Sequence, residues 1–122
     1  MRGLVLVVDD DAVVRTVAKS MLERSGFEVL LAGNGRRAIE LFAEHSARVT
    51  VVLLDLTMPR MGGREALSEL RRIRQDVPVL ISTGHYQPEA IERLQNDGAT
   101  GFLEKPYNRT RLVAAIEALL PG

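Results

Sequence analysis

The run from Val49 to Leu54, which leads directly into Asp55, places the tightest constraint on what this chain can fold into. Five of these six residues are Val or Leu, a composition typical of a strand that is buried on both faces. Such strands occur in parallel sheets that are covered by helices. An isolated acid after a strand would be interpreted as a helix cap or a turn residue. The ends of the other strands decide between that interpretation and a functional one.

Five apolar runs alternate along the chain with five segments of helical spacing. The predicted strands cover 3–8, 27–32, the run ending at Asp55, 78–81 and 100–103. Alternation of this kind predicts a parallel sheet with helices on both faces. Since crossovers between parallel strands are right-handed, few topologies remain. We predict an α/β, flavodoxin-like (βα)5 fold with strand order 2-1-3-4-5, as a single domain over residues 1–122.

The spacing of apolar residues also predicts which side of each helix faces the core. In the first helix the apolar stripe includes Val17, and in the third helix it includes Ile73. The arginines at 71, 72 and 74 are predicted to face solvent. Asp11 and Asn108 are predicted to cap the first and last helices. The fourth helix has a thin apolar stripe, which is typical of an element of low local stability.

Composition excludes several classes of function. Formal net charge is zero, so no broad attraction to nucleic acid or to an anionic membrane is expected. The absence of cysteine excludes disulfides, thiolate metal sites and cysteine nucleophiles. No apolar run approaches the roughly 18 residues of a membrane span, and the N-terminus does not resemble a signal peptide. We therefore expect a cytoplasmic protein.

Polar residues stand at the ends of four of the predicted strands. The first strand ends in Asp9 and Asp10, the third in Asp55, the fourth in Thr83 and the fifth in Lys105. Because the carboxyl ends of parallel strands share one edge of the sheet, these side chains are expected to meet there. That edge is where ligands bind in open sheets of this type, at the point where the strand order reverses.

Three carboxylates in one crevice repel one another, and Lys105 offsets only one of their charges. Either the carboxylates take up protons or a divalent cation binds. An all-oxygen ligand set favours Mg²⁺ or Mn²⁺. A carboxylate beside such a cation and a lysine ammonium suits phosphoryl transfer, with the hydroxyl of Thr83 donating to a transferred oxygen.

Four stretches of this chain carry a resemblance to a known family. They are Val-Leu-Val-Val-Asp-Asp-Asp, Val-Leu-Leu-Asp-Leu-Thr-Met-Pro, Val-Leu-Ile-Ser-Thr-Gly and Gly-Phe-Leu-Glu-Lys-Pro-Tyr. With these motifs at these spacings, the chain resembles the receiver domain of two-component response regulators over essentially its full length. The last two stretches are also similar to those of receivers at the C-terminus of hybrid sensor kinases.

The resemblance implies roles for individual residues. Asp55 is implied to be the phospho-accepting aspartate, with Thr83 and Lys105 contacting the phosphoryl group. The implied Mg²⁺ ligands are Asp9, Asp10, Asp55 and the backbone carbonyl of Thr57. The implied switch pairs Thr83 with Phe102, and the implied cis peptide bond joins Lys105 to Pro106.

The same resemblance implies a reaction and its partners. A phosphohistidine on a histidine kinase or a histidine phosphotransfer domain donates the phosphoryl group, and the receiver supplies the catalytic groups itself. Phosphorylation then alters the surface of helix four, strand five and helix five, which a downstream protein or output domain reads. The expected protein is a monomer or weak dimer that stands alone or forms part of a larger chain.

Two other functions fit parts of the pattern. A small phosphohydrolase with an aspartate nucleophile usually needs a second acid two residues later, where this chain has Thr57, and a substrate cap besides. An interaction module that has lost phosphorylation would not need the set Asp9, Asp10, Asp55, Thr83 and Lys105 to be intact. The sequence therefore favours a receiver that catalyses its own phosphorylation and dephosphorylation over a conventional enzyme.

Overall fold

The computed structural model describes residues 2–56, 58, 61–84 and 87–120. Strands and helices alternate from one end of this region to the other. The strands are β1 (Leu4–Val8), β2 (Glu28–Ala32), β3 (Val49–Asp55), β4 (Val79–Thr83) and β5 (Gly101–Glu104). The helices are α1 (Ala12–Glu23), α2 (Gly35–His45), α3 (Gly63–Ile73), α4 (Pro88–Asn96) and α5 (Arg109–Glu117). The predicted bounds are accurate to within two residues, and β4 extends further than predicted to include Ser82 and Thr83.

The strands form one parallel sheet in the order β2-β1-β3-β4-β5. This confirms the predicted flavodoxin-like order. The direction of winding reverses between β1 and β3, so the helices that follow these two strands lie on opposite faces and leave a crevice at their carboxyl ends. The strands β1 and β3 flank this crevice, and Asp9 directly follows β1 while Asp55 is the last residue of β3.

Alternate residues of the central strands point into two separate cores, because successive strand side chains face opposite sides of the sheet. One face of β1 and β3 packs under α2, α3 and α4, and the opposite face packs under α1 and α5. Phe42 and Leu67 fill the first core, and Leu22 and Ile116 fill the second. This double burial explains why the central strands have no polar alternation.

Side-chain caps fix where several helices begin. The carboxylate of Asp11 accepts hydrogen bonds from the backbone N–H groups of Val13 and Val14, which confirms it as the cap of α1. Asn34 and Asn108 accept from the N–H groups of Arg37 and Arg111 in the same way. Each cap satisfies an N–H group that has no partner within its helix. Among the residues that the structure describes, none of the helices has the length and apolar composition of a membrane-spanning segment.

The prediction that Arg71, Arg72 and Arg74 all face solvent is wrong for Arg71, in the last turn of α3, and for Arg74, which directly follows that helix. The Nη1 group of Arg71 donates to the carbonyl of Val77 at 2.6 Å, while its Nη2 and Nε groups donate to the carbonyl of Gly98 at 2.5 and 3.2 Å. Arg74 donates from Nη1 to the carbonyls of Ser46 and Val49, both at 2.7 Å. Burial lowers the pKa of Arg71, against the opposing charge of Asp76, yet an arginine remains charged near neutral pH.

Arg72 and Ile73, at the end of the same helix, are both exposed. Arg72 faces solvent as predicted, with 76% of its side chain exposed. Ile73 was predicted on the inner side but is 38% exposed at the last turn of α3. Helical periodicity predicts the direction in which each side chain leaves the helix. A long arginine side chain can bend away from that direction and place its guanidinium against carbonyls of neighbouring loops.

We expect Arg71→Ala to lower the free energy of unfolding by about 3 kcal/mol. The side chain joins α3 to the loops before β4 and before β5, and hydrogen bonds from charged donors contribute roughly 1.5–3 kcal/mol each. Its removal leaves part-buried carbonyls without that donor. Urea unfolding monitored by far-ultraviolet circular dichroism measures the change.

Arg72→Ala is the matched control, since it removes the same side chain from the next position of the same helix. Its guanidinium reaches Glu69 only at 3.6 Å on the exposed face, so we expect a change within about 0.5 kcal/mol. Equal losses for the two variants would show that the loop contacts of Arg71 add no stability beyond helix propensity.

Candidate functional site

Four strand ends bring polar side chains together at the carboxyl edge of the sheet. Asp55 and Thr83 are the last residues of β3 and β4, and Asp9 and Lys105 directly follow β1 and β5. Asp9 and Asp55 are each 2% exposed and Thr83 is 3% exposed, whereas Asp10 is open to solvent. Buried carboxylates are costly unless they are paired, so their placement here requires compensating charge.

Lys105 supplies that compensation to two carboxylates at once. Its Nζ lies 2.7 Å from Oδ2 of Asp9 and 3.3 Å from Oδ1 of Asp55. The other oxygen of Asp9, Oδ1, accepts the backbone N–H of Asp11 at 2.9 Å. The backbone N–H of Lys105 donates to the carbonyl of Thr83 at 2.8 Å, which ties the end of β5 to the end of β4. The ammonium is therefore held between the ends of β1 and β3.

Asp9, Asp10 and Asp55 form a cluster in which one carboxylate oxygen of each lies within 4.8 Å of the others. Three acids and one lysine leave excess negative charge, which a divalent cation would balance. The donors are all hard oxygens, two of them buried and one open to solvent, an arrangement that fits Mg²⁺ with several retained waters. Thr57, whose carbonyl was a predicted ligand, lies outside the described residues.

Burial and the surrounding charges together shift the pKa values of two groups at the site. Burial lowers the pKa of Lys105, but its hydrogen bond to Asp9 and the charges of Asp55 and Asp9 outweigh that effect and raise it overall. Lys105 is therefore cationic at neutral pH. Burial also raises the pKa of Tyr107, helped by Asp9 and Asp55 and opposed by Lys105. The raised pKa of Lys105 reflects the negative charge at this edge of the sheet, whereas the raised pKa of Tyr107 comes chiefly from burial.

The predicted switch residues occupy neighbouring strands. Thr83 ends β4, and Phe102 lies opposite Ile81 in the register between β4 and β5. Phe102 is half-buried and packs against the core under α2, α3 and α4. The peptide bond between Lys105 and Pro106 is cis. His85 and Tyr86, which border the site in sequence, lie outside the described residues.

Two features near the site did not emerge from the sequence. Arg15 of α1 donates from Nη1 to the backbone carbonyl of Asp9 at 2.7 Å. Val17 was predicted with the apolar stripe of α1 but is 43% exposed, and Val13 is 71% exposed. These valines line an apolar groove of about 390 Å³ together with Val14, Lys105, Pro106 and Tyr107. The i, i+4 spacing of Val13 and Val17 was visible in the sequence, but the contact of Arg15 with a backbone carbonyl was not.

Comparison with known proteins assigns the family. The sequence model of the response regulator receiver domain family matches residues 5–117 of this chain. The chemotaxis protein CheY of Bacillus subtilis is 35% identical over 121 residues, which cover 98% of this chain and 99% of that protein. A solved structure of CheY4 from Vibrio cholerae superposes with a TM-score of 0.92 at 32% identity, covering 98% of this chain and all of that one. The chain belongs to the receiver domain family of two-component response regulators.

Other relatives are longer than this chain. The response regulator MprA of Mycolicibacterium vanbaalenii is 39% identical over 118 residues, which cover 95% of this chain but 49% of that protein. The chain thus matches CheY over its whole length and corresponds to about half of MprA. The shared part is the receiver domain, so only properties of that domain follow from the match.

Proposed function

We propose that this receiver domain, over residues 1–122, takes a phosphoryl group from a phosphohistidine onto Asp55 in a cytoplasmic two-component pathway. One observation carries the proposal, namely the buried carboxylate of Asp55 beside the Lys105 ammonium, within a cluster of three acids. A buried acid that only stabilised the fold would not need two further acids within 4.8 Å. The intact set of acids and lysine favours a working receiver over an interaction module.

The proposed reaction is a displacement at phosphorus. A carboxylate oxygen of Asp55 attacks, the phosphorus–nitrogen bond to the donor imidazole breaks, and the imidazole keeps the electron pair and takes up a proton. Lys105 and the hydroxyl of Thr83 stabilise negative charge on the transferred oxygens. Water later cleaves the acyl phosphate, which returns the Asp55 carboxylate and inorganic phosphate. Because these groups belong to the receiver, it catalyses both steps itself.

Asp9, Asp10 and Asp55 are proposed to hold Mg²⁺, with the carbonyl of Thr57 as a further ligand and Mn²⁺ as an alternative ion. When bound, the ion supplies positive charge that stabilises the oxygens of the transferred group. Asp9 has both carboxylate oxygens occupied, by the N–H of Asp11 and the ammonium of Lys105, whereas Asp10 is open to solvent. This favours Asp10 as a direct ligand and Asp9 as one that acts largely through water.

The proposed output is a shift between two populations of the domain. Thr83 moves toward the phosphoryl group, and the ring of Phe102 turns into the space that Thr83 leaves. Both residues lie on the two strands next to α4 and α5, so their movement alters the surface of α4, β5 and α5. A downstream protein or an output domain reads that surface. No direct contact with nucleic acid or a membrane is part of this proposal.

The proposed donor is a histidine kinase or histidine phosphotransfer domain, and the groove beside the site supports its docking there. Lys105 lines both the groove and the acid cluster, so a partner helix in the groove would bring its histidine beside Asp55. Val13 and Val17 stand one turn apart on the rim and match the apolar face of an amphipathic helix. The donor would therefore contact α1.

We expect Val17→Glu to slow phosphoryl transfer by about 10-fold, a loss of about 1.4 kcal/mol in the free energy of docking. The donor in this experiment is a histidine phosphotransfer domain that phosphorylates the wild-type chain. Reaction with phosphoramidate, which needs no docking, should be unchanged. Ile73→Glu is the matched control, because Ile73 is also an exposed apolar residue, at 38%, but lies on α3. Equal transfer rates for both variants would show that α1 is not part of the docking surface.

The proposed function is tested by intact-mass spectrometry after incubation with phosphoramidate, with and without Mg²⁺. We expect one phosphoryl adduct that forms only with Mg²⁺ and decays with release of inorganic phosphate. Catalytic release of phosphate from unrelated phosphate esters would instead indicate a phosphohydrolase. No adduct with any small donor, together with no Mg²⁺ binding, would contradict the proposal and leave a binding module.

A further inference from the structure

We propose that Arg15 is a positioning residue for the Mg²⁺ ligands, an inference that rests on the proposed metal site. Arg15 belongs to α1 and is half-buried. Its guanidinium donates to the backbone carbonyl of Asp9 rather than to a carboxylate of the cluster, with Nη1 2.7 Å from that oxygen. The cation therefore acts on the main chain that carries two of the three acids.

The backbone of Asp9 is held on both sides of the residue. Its N–H donates to the carbonyl of Ala32 in β2 at 3.1 Å, and its carbonyl accepts from Arg15. The carbonyl of Asp9 belongs to the peptide plane that joins it to Asp10. By fixing that plane, Arg15 sets the direction in which Asp10 leaves the end of β1.

Fixing the backbone matters more for the position of Asp10 than for that of the other two acids. Asp9 and Asp55 are buried and contact Lys105, whereas Asp10 is exposed and lies within 4.8 Å of two like charges. Repulsion favours rotation of an exposed carboxylate toward water. A site in which the peptide plane is already fixed avoids reordering that residue when the cation binds.

Gly33 leaves the space that the guanidinium occupies. A Cβ atom at Gly33 would lie 3.1 Å from Nη1 and 3.4 Å from Cζ of Arg15. The guanidinium thus fits between the loop after β1 and the loop after β2. Gly33→Ala would therefore force the guanidinium to shift by a few tenths of an ångström, without changing any charge.

The direction in which Mg²⁺ affinity changes when Arg15 is substituted distinguishes a positioning role from a purely electrostatic one. A cation near three acids opposes the binding of a second cation, so losing its charge alone should tighten Mg²⁺ binding. Losing a residue that holds the ligands in place should weaken it. Substitution of groups that orient metal ligands typically costs about 10- to 100-fold in metal affinity.

The experiment measures the Kd for Mg²⁺ by isothermal titration calorimetry at fixed ionic strength. We expect Arg15→Gln to weaken binding by about 10-fold, at the lower end of the range for orienting groups. Gly33→Ala displaces the guanidinium without removing it, so we expect a smaller effect of about 3-fold. Arg15→Lys should lie between Arg15→Gln and the wild type, since an ammonium can donate one bond to the carbonyl. Arg24→Gln is the charge-matched control, as Arg24 is exposed just after the last turn of α1, and its affinity should stay within about 2-fold of the wild type.

Unchanged or tighter Mg²⁺ binding in Arg15→Gln would overturn the inference. If that variant does not fold, as judged by circular dichroism, Gly33→Ala and Arg15→Lys decide the question by the same sign. Absence of Mg²⁺ binding in the wild type would instead contradict the proposed metal site. The two failures are thereby distinguishable.

Discussion

Asp55→Asn is expected to abolish the phosphoryl adduct completely while leaving the fold intact. The amide has nearly the same shape as the carboxylate but lacks the anionic oxygen that attacks phosphorus. Asp55 is 2% exposed at the end of the central strand β3, so a substitution of equal size is needed to avoid a cavity. Intact-mass spectrometry with phosphoramidate and Mg²⁺ measures the adduct.

The substitution should cost little stability, which separates a chemical role from a structural one. It removes one of three neighbouring negative charges and leaves Lys105 paired with Asp9 at 2.7 Å. We expect the free energy of unfolding without Mg²⁺ to change by less than about 1 kcal/mol. A larger loss would show that the ion pair between Asp55 and Lys105 is needed for folding.

Asp76→Asn is the control, because 82% of the Asp76 side chain is exposed and it pairs with Arg74 at the far end of the sheet. Its adduct should match that of the wild type. An adduct that persists in Asp55→Asn would identify another acceptor, and Asp9 or Asp10 would be the next residues to substitute.

The fold was predictable because each central strand repeats the same apolar signal. The runs at 49–54 and 79–81 have no polar alternation, which indicates burial on both faces and hence a parallel sheet. In a parallel sheet the last residues of the strands meet at one edge, so Asp9, Asp55 and Lys105 could be placed together without coordinates. Periodicity and strand direction were sufficient for this part of the site.

The features that sequence did not predict depend on long side chains and on loop carbonyls. Arg71 and Arg15 both donate to backbone oxygens on other segments, at Gly98 and Asp9. Which carbonyl a side chain reaches depends on the exact residue at which each strand stops and on the path of the loop beyond it, and the sequence predicted the strand ends only to within two residues. Val17 shows the reverse case, since helical spacing assigned it to the core although no element covers that part of α1 among the described residues.

Lys105→Met is expected to slow phosphorylation of Asp55 by phosphoramidate on the order of 100- to 1,000-fold, the usual cost of losing one charge-stabilising donor. Methionine keeps much of the apolar stem and removes the ammonium that lies 3.3 Å from Oδ1 of Asp55. The rate of adduct formation at saturating Mg²⁺ is the quantity to compare. We expect Asp55 to remain the modified residue.

The same substitution should destabilise the metal-free protein. Asp9 and Asp55, each 2% exposed, would lose the cation that contacts both of them. Removing one partner of a buried ion pair typically costs about 3–5 kcal/mol, and the partial exposure of Lys105 places the loss at about 2–3 kcal/mol. The loss should shrink on addition of Mg²⁺, because the ion would supply the two acids with the positive charge that the variant has lost.

Lys19→Met is the matched control, since Lys19 is the only other lysine of the chain and lies on α1 away from the acids. It should leave both the rate and the stability near wild type. A Lys105→Met protein that reacts at the wild-type rate but is less stable would show that Lys105 stabilises the buried acids without assisting transfer. A protein that is equally stable but slow would show the opposite, and Lys105 would then act only once the phosphoryl group arrives.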